Sequence, residues 1–107
     1  MLRKKARHKF NAKPTTVDAI RFASKLEASY YKKLQALKLS GVVLGFFMQV
    51  PLHFKSGIIY RMDFLVFYED GKCEAIDVKG METPTFKLKL KLIEEEYPWI
   101  ELRIIRS

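Results

Sequence analysis

A chain of 107 residues, 49% hydrophobic and 30% charged, has the length of one domain and the composition of a folded one. Its one cysteine excludes an internal disulfide framework and a cysteine-based zinc site. The longest apolar run, Val42 to Met48 with Gly45 inside it, falls far short of the roughly 20 residues of a membrane span.

Twenty Lys and Arg against twelve Asp and Glu give a formal charge of +8, and the excess is local. Residues 1–13 carry Arg3, Lys4, Lys5, Arg7, Lys9 and Lys13 with no acid, which leaves 14 basic against 12 acidic residues elsewhere. The pattern predicts a basic N-terminal arm on a single domain spanning 14–107. Such arms lie along phosphate backbones, where released counterions drive binding; from charge alone an acidic protein or lipid surface is the alternative. No apolar stretch follows the arm, so no signal peptide is expected, and the expected location is the cytoplasm.

Residues 14–23 read as an extended or hairpin segment, with Val17, Ile20 and Phe22 as strand formers after Pro14. A helix follows from Ser24, whose Ser24-Lys25-Leu26-Glu27 run is a capping box. Leu26, Tyr30, Leu34 and Leu37 form its apolar face, Lys32, Lys33 and Lys38 lie largely off it, and Ser40-Gly41 stops it. Val42 to Phe54 reads as a strand ending near Pro51, Ile58 to Tyr68 as a second, and Cys73 to Lys79 as a third closed by Gly80. Ser56-Gly57 and Asp70-Gly71 mark the turns, so the three should form an antiparallel meander.

Residues 83–97 carry two conflicting periods. Phe86 to Leu92 alternates like a strand, but Thr83-Pro84 is a helix start, Phe86, Leu90, Ile93 and Tyr97 share a helical face, and Lys, Leu and Glu favour helix. Helix is the prediction, with Leu88 and Leu92 as a second stripe suited to a dimer contact. Ile100 to Ile105 reads as a last strand. The order is helix, three strands, helix, strand.

The chemistry concentrates on the second and third strands. Asp63 stands mid-strand, where Asp is disfavoured, and a buried carboxylate needs a partner or a metal. Asp77 and Lys79 share a strand face, and pairing across the Asp70-Gly71 turn sets Asp63 beside Asp77. Two adjacent carboxylates repel, and a divalent cation removes the conflict; oxygen ligands suit Mg²⁺. Lys79 would then orient an attacking water or stabilise a pentavalent phosphate, the outline of metal-assisted phosphodiester hydrolysis. Glu27, otherwise the capping-box acid, is a possible third carboxylate, and Gln49 a possible polar neighbour. Cys73, His8 and His53 carry no ligand pattern, and Trp99 reads as a core plug, with base stacking as the alternative.

Taken in order, Ser24-Lys25-Leu26-Glu27-Ala28, Met62-Asp63-Phe64, Ile76-Asp77-Val78-Lys79-Gly80, Thr83 and Lys89 resemble the small phage-encoded endonucleases of the PD-(D/E)XK superfamily, some of them similar to Holliday junction resolvases. The resemblance covers about Thr16 to Ile105. It implies an α/β fold with a restriction-endonuclease-like α-β-β-β-α-β core, a mixed sheet flanked by helices. It makes Asp63 and Asp77 the motif acids, Lys79 the motif lysine and Glu27 an additional metal ligand. Asp77 replaces the commoner Glu, no Pro precedes Asp63, and Ala19 and Ala23 stand where a Gly and often an acid are expected.

The function this implies is a Mg²⁺-dependent endonuclease selective for branched DNA, with Mn²⁺ as a substitute ion. The basic arm, Lys32, Lys33, Lys87 and Lys91 would contact phosphates, which positions DNA without reading sequence. Symmetric cutting favours a homodimer, formed through Leu88/Leu92 or the N-terminal segment. Neither a membrane nor a nucleotide cofactor is expected as a partner. A DNA- or RNA-binding module that keeps the fold without cutting is the alternative.

Overall fold

A computed structural model describes residues 14–79 and 84–106. The arm residues Arg3, Lys4, Lys5, Arg7, His8, Lys9 and Lys13, together with Gly80 and Thr83, lie outside the described residues, as do the side chains of Lys79 and Thr85. The elements are β1 (Thr15–Val17), β2 (Ile20–Phe22), α1 (Lys25–Leu39), β3 (Val43–His53), β4 (Ile59–Tyr68), β5 (Cys73–Lys79), α2 (Pro84–Glu96) and β6 (Glu101–Arg106).

The sheet order is β3-β4-β5-β6. The first three strands are the expected antiparallel meander, and β6 joins β5 in parallel after crossing through α2, which makes the sheet mixed. Both hairpins turn on a left-handed glycine, Gly57 at φ 93° and Gly71 at φ 92°, a conformation that costs glycine almost nothing. The strand β3 runs on through Pro51 to His53 instead of ending there. It is an edge strand, so the missing proline N–H takes no bond from the ladder.

Two helices cover two faces. Tyr30, Tyr31 and Leu34 of α1 pack with Phe64, Val66 and Ile76. Phe86 and Ile93 of α2 pack with Met62, Leu65 and Ala75. The arrangement is a mixed sheet flanked by helices.

Three sequence expectations about packing fail. Leu26 is only partly buried, and Ala28 and Tyr31 take the core positions beside Tyr30. Leu92 packs against the α2-side core, which reduces the presumed second stripe to Leu88, 49% exposed. Trp99 is no core plug: it is 63% exposed, with its ring edge-on to Tyr97 at 6.0 Å between ring centres. Ile100, which follows it, is buried in its place.

At the other end, α1 starts at Ser24, whose hydroxyl accepts the Glu27 N–H at 3.1 Å. It closes on left-handed Gly41, with the Val42 N–H reaching back to the Leu37 carbonyl at 3.1 Å. The β1–β2 hairpin turns on Asp18 and Ala19, both left-handed at φ 52° and 64°. Asp18 tolerates this and is held by the Tyr31 hydroxyl at 3.0 Å. Ala19 has no such compensation, and a left-handed alanine costs about 1 kcal/mol or more. Ala19→Gly is therefore expected to raise the unfolding free energy by roughly 0.5–1 kcal/mol, read from urea denaturation midpoints.

Candidate functional site

In a regular strand, alternate residues face the same side. On β4, Phe64 and Val66 face the α1-side core, yet Tyr60 and Met62, of the same parity, face the α2-side core. The strand β3 behaves alike, with Phe46 on the α1 side and Val50 and Leu52 on the α2 side. The alternation slips at Asp63 on one strand and at Gln49 on the other. These two positions oppose each other, since Met48 pairs with Phe64 and Val50 with Met62. Gln49 is left-handed at φ 55°, and its carbonyl accepts from the Arg61 guanidinium at 3.2 Å.

The β4–β5 ladder also stops here, its last pair being Phe64 with Ile76. Beyond it the Val78 N–H is taken by Asp63 Oδ2 at 2.7 Å. Asp63 thus substitutes for backbone in holding the two strands, and Asp77 lies next to it as the hairpin arithmetic requires. The Tyr60 hydroxyl donates to Asp77 Oδ2, and the Lys89 amine sits 4.4 Å over the Tyr60 ring.

Glu27 enters from α1. It is 8% exposed and Asp77 6%. The Gln49 amide donates to Glu27 Oε2 and to Asp63 Oδ1, each at 3.3 Å, and so bridges the helix-borne acid to the strand-borne one. Glu27, Asp63, Asp77 and Gln49 therefore meet, drawn from α1, β4, β5 and β3. A cleft of about 420 Å³ is lined by Arg21, Glu27, Met48, Gln49 and Asp63 among others.

Electrostatics makes the cluster costly. Burial pushes the Asp63 carboxyl up to about 7; the Val78 N–H opposes this, and a hydrogen bond with Asp77 and the charges of Glu27 and Asp77 add to it. Burial also raises Glu27, against the Ala23 N–H that its carboxylate accepts and with the Asp77 charge adding. Tyr60 is driven far up by burial and by its bond to Asp77, so it remains a donor.

Among the described residues no three His, Cys, Asp or Glu side chains stand at metal-ligating spacing. The Gln49 amide lies between Glu27 and Asp63. Its two contacts are long for hydrogen bonds and cost little to exchange.

Lys79 ends β5 in register with Arg106. Lys32 and Lys33 are exposed on α1, and Lys87 and Lys91 on α2. The two pairs sit on helices covering opposite faces of the sheet and do not form one patch. Cys73 is half-buried, and burial pushes its thiol up, which keeps it protonated. His53 offers its carbonyl to the Tyr97 hydroxyl at 2.6 Å. Sequence reasoning missed Tyr60, because regular alternation would turn it to the face away from Asp77; only the slip at Asp63 brings it round.

The chain belongs to a family described as a protein of unknown function, DUF1064, whose model matches residues 7–107. No curated protein matches it.

The raised Asp63 value carries a stability consequence. Between its ordinary value of 3.8 and about 7 the folded chain binds a proton that the unfolded chain has released. Stability should therefore fall as pH rises through that window. In chelator, urea denaturation is expected to show this slope, and Asp63→Asn to flatten it and to be more resistant than the parent at pH 8.

Proposed function

We propose that this DUF1064 member is a metal-dependent endonuclease acting on branched DNA, with Glu27, Asp63, Asp77 and Lys79 as its working residues. The observation that carries the reading is the convergence of three carboxylates from three elements at a break in the sheet, in a chain of net charge +8. A purely structural role does not account for it: acids packed against one another in a poorly solvated place repel, and apolar residues there would be more stable.

The donor set fits Mg²⁺, with Mn²⁺ as a substitute. It consists of hard carboxylate oxygens, and a cation would offset the burial that chiefly raises Asp63 and Glu27 and the mutual repulsion that adds to it. Asp63 and Asp77 would hold the ion with Glu27 assisting. When bound, it supplies charge neutralisation and polarises the phosphodiester.

The chain's own groups do the rest. Tyr60 and the Val78 N–H keep Asp77 and Asp63 oriented. Lys79 orients the water that attacks phosphorus. The P–O3′ bond breaks, the 3′ oxygen takes up a proton, and the products carry 5′-phosphate and 3′-hydroxyl ends. The basic arm and the exposed lysines bind backbone phosphates without reading bases, so selection rests on DNA shape. Paired cuts in a four-way junction call for a homodimer.

The test is cleavage of a four-way junction, a flap, a nicked duplex and a linear duplex, with and without Mg²⁺. Cutting of branched substrates only with the ion is expected. Asp77→Asn should lower it by about a hundredfold or more while binding stays equal or tightens, because a negative charge beside phosphate is removed. Binding without cutting in either ion would favour the inactive binding module, and full activity in the variant would remove Asp77 from the site.

A further inference from the structure

A cleft floored by carboxylates repels the phosphate it is meant to receive unless a cation of the protein stands beside it. Among the described residues lining this cleft, one is a cation, Arg21. It is exposed on β2, opposite Thr16. Among the described residues no ion pair to it is formed; the pair that is formed there joins Glu74 and Arg103. The acids nearest to it are instead engaged by neutral donors, the Gln49 amide and the backbone N–H groups of Ala23 and Val78. Among the described residues no acid occupies its guanidinium fork.

The strand that carries Arg21 is anchored. Phe22, the next residue, is 3% exposed and lies against the Tyr31 ring, 5.0 Å between centres. The Tyr31 hydroxyl holds Asp18 in the hairpin turn at 3.0 Å and accepts from Gln35 at 2.7 Å. Since Tyr31 and Glu27 sit one helical turn apart on α1, the same helix sets both the acid and the hairpin bearing the cation. The cleft's other wall is the half-exposed thioether of Met48. A space of about 420 Å³ with an apolar side, an acidic floor and one cation matches a short length of a single backbone strand: phosphate at Arg21, sugar against Met48. A planar fork suits the two non-bridging oxygens of a phosphodiester better than an ammonium does.

We propose that Arg21 is a phosphate clamp that grips one backbone phosphate of the DNA strand lying over Glu27 and Asp63. The assignment rests on the nuclease reading and names the residue that lets an acidic cleft accept DNA.

Binding is measured in chelator, where nothing is cut, on four-way junctions carrying a single neutral methylphosphonate at successive positions about the branch point. Arg21→Ala is expected to weaken binding to the unmodified junction by about tenfold and to lower the salt slope by about one unit. At one position the methylphosphonate should weaken the parent but not the variant. Arg21→Lys should recover the salt slope while leaving part of the affinity loss. Because Arg21 is exposed, a urea midpoint equal to the parent's accompanies the expected result. An unchanged affinity and slope in Arg21→Ala, or a loss equally additive with every neutral position, overturns the clamp and leaves the nuclease reading standing. Failure of the parent to bind any junction overturns both.

Discussion

Three carboxylates cannot be gathered inside a β-sheet without interrupting either its hydrogen bonding or its alternation of faces, and here both are interrupted at one place. The β4–β5 ladder ends at Phe64 and Ile76, and the alternation of β3 and β4 slips at the opposed residues Gln49 and Asp63. The slip opens the sheet between its two layers. Glu27 reaches the opening from the α1 side, Tyr60 and Asp77 meet on the α2 side, and Asp63 occupies the seam. A sheet with regular alternation would have kept these groups apart.

Such a break survives because the packing around it is firm. Met62 and Phe64, on either side of Asp63, are both fully buried, one in each core. Backbone and side-chain donors from Val78, Ala23, Gln49 and Tyr60 occupy the carboxylate oxygens, so desolvation is partly compensated. What compensation does not remove is the mutual repulsion of the acids, which adds to the raised Asp63 and Glu27 values. By the same reasoning apolar substitutes at these positions would stabilise the fold.

The helix α1 links local and distant parts of the design. Ser24 caps it through the Glu27 N–H, and the Glu27 side chain, free of the reciprocal capping role, accepts from Ala23 and from Gln49. One turn later Tyr31 packs on Phe22 and bonds Asp18, fixing the β1–β2 hairpin over the cleft. A residue that reads as an ordinary helix start thus belongs to two structures at once. Membership of a family defined over residues 7–107 extends the matched region across the hairpin, the sheet and both helices.

Much of this was legible along the chain. Turn chemistry at Ser56-Gly57 and Asp70-Gly71 determined the meander and, with it, the adjacency of Asp63 and Asp77, because hairpin register follows from turn position alone. The helix over Pro84–Glu96 was decided by its N-terminal proline and its Lys, Leu and Glu content against a misleading alternation. Other features depended on tertiary structure. Trp99 is exposed although its type favours burial, while the adjacent Ile100 is buried. Leu92 is partly buried against the α2-side core, one of two cores that needed apolar cover. Above all, the bond of Tyr60 to Asp77 and the place of Arg21 on the cleft wall were not encoded in any local pattern, although Gln49 was legible as a polar neighbour. Period and turn signals report which neighbours a residue has along its own strand or helix. A phase slip shared by two strands, and a hairpin carried by a helix, arise only when distant segments pack and compete for the same faces.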